Sequence, residues 1–175
     1  MDWFSKKSDV PNADEFRRMF DEGIGAFHAG QFQRSIDLLL EALNKIDCKP
    51  TNFSAQAWGY VGLAELQLHD RDKNTERLIN AEGALLCARA FDHNNPPIIY
   101  NLGSCYFQQR RYQEAEKCFL DYVHIKPDPN ALLKLGAICY ETNRHQEAIH
   151  YWKQVLSIEP NNSGARENLK HVRGY

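Results

Sequence analysis

Seven histidines and five cysteines are the side chains of this 175-residue chain best suited to hold a metal or attack a substrate. Their spacing speaks against both roles. His28, His69, His93, His124, His145, His150 and His171 are scattered, and none forms an H-x3-H or HExxH pair that would set two imidazoles on one helix face. His145 and His150 are five apart and fall on different faces. Cys48, Cys87, Cys105, Cys118 and Cys139 contain no C-x2-C pair, and their number is odd. They read as small buried apolar residues in a reducing compartment rather than as disulfides or zinc ligands. Gly23 and Gly25 sit within a helical pattern and are not followed by GK[ST], so no phosphate loop is present. No G-x-S-x-G occurs, and no serine has a histidine at a recognisable spacing. The expectation is a protein without catalysis, metal or cofactor.

Composition narrows the class further. Hydrophobic residues at 43% and charged residues at 25% suit an ordinary globular core. A formal net charge of −2 lacks the basic footprint of general nucleic-acid binding. No apolar run is long enough to span a bilayer, and the first residues show neither a signal-peptide core nor a myristoylation signal. A cytoplasmic location is expected.

What remains is pattern. Ile99, Leu102, Gly103 and Tyr106 fall at i, i+3, i+4 and i+7, one face of a helix. Ala115 and Phe119 share a face of a second helix, and Arg110-Arg111 interrupts the period between them. Gly103 and Ala115 are small enough to let two helix backbones approach closely. The series recurs 33 residues later as Leu132, Leu135, Gly136, Ala148, Trp152 and Pro160. Earlier in the chain, Met19, Gly23, Ser35, Leu39 and Ala42 keep the same spacing, as do Trp58, Val61, Gly62, Ala81, Leu85 and Ala88 with seven residues inserted. The insertion, around HDRDKNTE, predicts an extended turn and an extra helical turn, with Asn74 or Thr75 capping the next helix.

A period of 33–34 with the pattern W-x2-L-G-x2-Y, A-x3-F and P resembles the tetratricopeptide repeat (TPR) family, most clearly over residues 96–162. The resemblance implies an all-α, right-handed α-solenoid of helix pairs. Repeats fall at about 16–49, 55–95, 96–128 and 129–162 in a single domain spanning 14–175, after a flexible segment 1–13. The stretch 163–173 keeps only Ala165, Leu169 and Val172 apolar, as a terminal capping helix requires.

In this family the first helix of each pair lines a concave groove. The residues so placed are Phe20, Ile24 and Phe27, then Leu63 and Leu66, then Tyr100, Ser104 and Phe107, then Leu133, Ala137 and Tyr140. That wall is apolar and aromatic, and it predicts an apolar or amphipathic peptide or protein as partner. The family's carboxylate clamp for acidic chaperone tails is not reproduced: its places hold Phe20, Ile24, Tyr60, Pro97 and Asn101. Two alternatives share the apolar groove. One is a small cytosolic chaperone, similar to the TPR chaperones of bacterial secretion systems, that shields hydrophobic segments of a client. The other is a self-assembling scaffold in which Trp3 and Phe4 fill the groove of a neighbour.

Overall fold

Small residues at the repeated positions dictate helix pairs, and helix pairs are what form. A computed structural model describes residues 13–46 and 52–173, so Trp3, Phe4 and Cys48 lie outside the described residues. The described residues contain nine helices and no strand: α1 (Ala13–His28), α2 (Phe32–Lys45), α3 (Asn52–Asp72), α4 (Glu76–Phe91), α5 (Pro96–Gln108), α6 (Tyr112–Ile125), α7 (Pro129–Glu141), α8 (His145–Ile158) and α9 (Ser163–Arg173). They divide into two compact units, residues 1–98 and 99–175, with the boundary in the first turn of α5.

In the first unit α1 packs on α2, α2 on α3 and α3 on α4. The core is built from Phe16, Met19, Ile36, Leu39, Leu43 and Val61, each on the inward stripe of its helix. A smaller cluster of Ala55, Ala88 and Ile98 closes the end of the unit against Trp58 and Phe91. In the second unit α6 packs on α7, α7 on α8 and α8 on α9. Here Leu102, Ala115, Phe119, Leu135, Ile138, Ala148 and Val155 are fully buried. The glycine positions carry the closest approach: a β-carbon on Gly62 would lie 2.6 Å from Leu85 Cγ, and one on Gly103 would lie 3.1 Å from Cys118 Cβ.

All four hairpin turns are three residues long, and each holds one residue at positive φ: Gly30, Lys73, Arg110 and Asn143. In three of them the backbone closes in a Schellman pattern. The Gln31, Arg111 and Arg144 N–H groups donate to the carbonyls of Ala26, Tyr106 and Cys139 at 2.9, 2.9 and 2.7 Å. The turn after α3 is thus no longer than the others, which corrects the expected extended turn. Of the seven inserted residues, five lengthen the end of α3 and two the start of α4, and α3 reaches 21 residues against 13 in α5 and in α7. His69–Asp72 continue the helical hydrogen bonding, and only Lys73–Thr75 form the turn. Asn74 caps α4 through its side chain, whose Oδ1 accepts the Glu76 N–H at 3.0 Å, while Thr75 makes no side-chain cap.

Two later helices start on clear caps. Asp128 accepts the Asn130 N–H at 2.7 Å with Pro129 in the first helical turn. Asn162 accepts the Ala165 N–H at 3.0 Å ahead of α9.

Candidate functional site

The first helices α5 and α7 turn their small and branched residues inward and leave a second face half-covered. On α5 that face carries Tyr100, Asn101, Ser104 and Phe107; on α7 it carries Leu133, Lys134, Ala137 and Tyr140. The two sets match position for position along the repeat. Lys134 places its ammonium 5.1 Å from the centre of the Phe107 ring, so the faces of α5 and α7 meet through a cation–π contact.

The aromatic members are anchored at their inner edges and open at their outer ones. Tyr100 sets its ring 5.4 Å from Phe119 and 5.1 Å from Tyr122. Burial pushes its hydroxyl above the usual tyrosine range, and the nearby Asp128 carboxylate adds to that. Tyr122 donates its hydroxyl to Asp128 at 3.3 Å, so this carboxylate ties α6 to the start of α7. Phe107 packs on Tyr112 at 5.8 Å, and Tyr140 lies 5.3 Å from His145 and 6.1 Å from Trp152. Leu133 faces the start of α9, where a β-carbon on Gly164 would come within 3.8 Å of its methyls. At the other end of α7 a cavity of about 590 Å³ opens between Tyr140, Glu141, His145, Ile149 and Val172.

In the first unit the expected wall is less open. Phe20 is 3% exposed and is held between Phe16 at 5.8 Å and Phe53 at 5.2 Å, so it belongs to the core. Leu66, 4% exposed, is also interior. These two offer no surface to a ligand, because α1 and α3 are covered there by their neighbours. Ile24, Phe27 and Leu63 are half-buried. Phe27 meets Tyr60 edge-on at 5.2 Å, which adds Tyr60 to this face.

Sequence reasoning also passed over a polar feature of α3. Glu65 is 6% exposed and faces α4, where Arg77 Nη1 donates to it at 3.0 Å and Asn80 Nδ2 at 3.4 Å. Arg77 also donates from Nε to Asp72 at 2.6 Å. The inserted turns of α3 are therefore fastened to α4 by a carboxylate–guanidinium–carboxylate bridge. The hydrogen bond from the Asn74 backbone N–H, and then that from Arg77, hold the Asp72 carboxyl below its ordinary range. In the second unit Arg144 binds Glu116 in a bidentate pair, 2.9 and 2.7 Å, fixing the α7–α8 turn to α6.

No group of three or more histidine, cysteine or carboxylate side chains is set to hold a metal among the described residues. Cys105, Cys118 and Cys139 are buried thiols, and burial pushes the Cys139 thiol up, away from the reactive thiolate. No described helix is long and apolar enough to cross a membrane.

Comparison with known proteins agrees with this build. Residues 96–128 and 129–162 each match the tetratricopeptide repeat profile. Over 112 residues, 63% of this chain, the sequence is 29% identical to the peroxisomal targeting signal receptor of Eremothecium gossypii, covering 20% of that protein. The chain thus spans about a fifth of the length of the curated relatives it matches. Among solved structures, MamA superposes with a TM-score of 0.77 at 19% identity, over 90% of this chain and 80% of that one. YrrB, described as a TPR protein with an unusual peptide-binding site, superposes with a TM-score of 0.74 at 16% identity, over 87% of this chain and 73% of that one. At such identities the structural likeness speaks for the fold alone.

Proposed function

We propose that this chain, whose residues 96–162 carry two tetratricopeptide repeats, works as an adaptor that holds an apolar or amphipathic peptide against the open faces of its first helices. The repeats themselves support a protein-interaction module. One observation favours an apolar peptide as what it holds. Tyr100, Phe107, Leu133 and Tyr140 stand half-exposed at matching positions of α5 and α7, with the small Ser104 and Ala137 between them. Large side chains flanking a shallow floor suit a helix or strand carrying its own apolar residues at regular spacing.

Ile24, Phe27, Tyr60 and Leu63 supply a similar face in the first unit. Phe20 and Leu66, being interior, take no part. The buried thiols suit a reducing compartment such as the cytoplasm. Shielding of a client's hydrophobic segment would use the same faces, so a chaperone role differs only in what is bound.

Selection of displayed peptides on the purified chain tests the proposal. Enrichment of sequences with apolar residues at helical or alternate spacing is expected, together with loss of that enrichment when Ala137 is replaced by glutamate. Enrichment of strongly acidic or basic peptides instead, or none dependent on Ala137, would overturn it.

A further inference from the structure

Helix α4 is apolar on two faces. Its inner face, Leu78, Ala81, Ala84, Leu85 and Ala88, is buried in the first unit. Its outer face carries Ile79, 69% exposed, and Leu86, 44% exposed, with Gly83 and Ala90 exposed beside them. Positions 79, 83, 86 and 90 fall on one stripe of the helix. The matching positions of the other second helices are mostly polar: Gln33, Asp37, Leu40 and Asn44 in α2; Gln113, Lys117, Leu120 and His124 in α6; Gln146, His150, Lys153 and Ser157 in α8. The repeat architecture therefore does not demand apolar residues there, and a helix that is apolar all round is ordinarily covered on both sides.

The stripe is complementary to itself. Its steps of four, three and four read the same in both directions, and large and small residues alternate as Ile, Gly, Leu, Ala. Two antiparallel copies of α4, related by a twofold axis level with Ala84–Leu85, set each Leu86 over the other copy's Gly83 and each Ile79 against the other copy's Ala90. The notch at Gly83 is open, because a β-carbon there meets nothing within 4 Å. One flank of the stripe carries Glu82 and Arg89, opposite charges seven residues apart. In the antiparallel arrangement each Glu82 comes level with the other copy's Arg89 to within roughly 3 Å along the axis, at 1.5 Å per residue. A parallel arrangement would stack Ile79 on Ile79 and Glu82 on Glu82.

We propose that the outer face of α4 is a homodimer interface, in which two copies pair antiparallel through Ile79, Gly83, Leu86 and Ala90. A single 16-residue helix gives a small contact, so association is weak and concentration-dependent.

Sedimentation analysis of the full chain, from about 10 μM to about 1 mM, tests this in the range where weak association is measured. The mass should rise from one chain towards two. Ile79→Lys and Leu86→Lys should remain at one chain throughout, with unchanged thermal melts because both side chains are exposed. Gly83→Leu, which adds bulk only where the second copy would meet it, should also remain single and melt no lower. Glu82→Arg should weaken association about threefold or more, and adding Arg89→Glu should recover it. A mass of one chain at every concentration would overturn the proposal, as would equal association of the wild type and Leu86→Lys.

Discussion

A β-carbon placed on Gly136 would lie 2.6 Å from Cδ1 of the Trp152 indole, so the contact between α7 and α8 is closed to every residue larger than glycine. The indole is the neighbour that would have to move, and Trp152 is buried among the core side chains of the second unit. Gly136→Ala should cost about 1–3 kcal/mol through overpacking, and Gly103→Leu a similar amount against Cys118 and Phe119. Gly83→Ala is the control. Nothing lies within 4 Å of its β-carbon, so it should gain about 0.5–1 kcal/mol from helix propensity. Denaturant unfolding of the three variants checks both signs together.

Arg110 holds φ at 59° in the turn between α5 and α6, where Gly30 serves the equivalent turn of the first hairpin. A side chain in the left-handed region is strained, and glycine is not. Arg110→Gly should stabilise by about 0.5–1 kcal/mol once the greater freedom of the unfolded glycine is subtracted. A lower melting temperature would mean that the Arg110 side chain contributes something the backbone strain conceals.

Glu65 depends on Arg77. Arg77→Met leaves a buried carboxylate without its cation and should cost about 2–4 kcal/mol, whereas Glu65→Gln with Arg77→Met should recover a good part of that loss. Unfolding of the single and double variants measures the coupling.

The Asp72 carboxyl sits below its ordinary value of 3.8, chiefly through the Asn74 N–H and then through Arg77. Its folded form therefore binds a proton less readily than the unfolded chain. The stability it contributes is present above the unfolded value and is lost as the pH falls through the lower, folded one. Asp72→Asn should melt lower than wild type at neutral pH, and the difference should close as the medium is acidified below the ordinary carboxylate range. A gap that persists into acid would assign the effect to geometry rather than to charge.

The helix pairs were legible because Gly103, Gly136, Ala115 and Ala148 mark the closest approach of two backbones, and that constraint is written in residue size. The location of the seven inserted residues was not legible. HDRDKNTE is charged and suggests an extended turn, but His69–Asp72 continue α3 and only Lys73–Thr75 turn, and the Asp72–Arg77–Glu65 bridge forms only once α4 folds back. Among the candidate binding residues, spacing identified the side of each helix but not its cover. Phe20 and Tyr100 occupy equivalent positions, yet Phe16 and Phe53 close over the one, while the other, packed on Phe119 and Tyr122, stays half-open. The outer stripe of α4 was passed over because a helix apolar on both faces shows no clear amphipathic period, which is the signal that assigns faces from sequence.

On the proposed function, the open faces of α5 and α7 bind an apolar peptide. A selected peptide titrated calorimetrically into the wild type and into Ala137→Glu, at low and high salt, tests it most directly. Ala137 is half-buried on the floor of the face, so the variant should fold as the wild type does while placing a charge where apolar contact is made. The predicted result is a loss of about tenfold or more in affinity for Ala137→Glu, near 1.4 kcal/mol, with little change on adding salt to the wild type. Equal affinity in the two proteins, with binding that weakens steeply as salt rises, would contradict it.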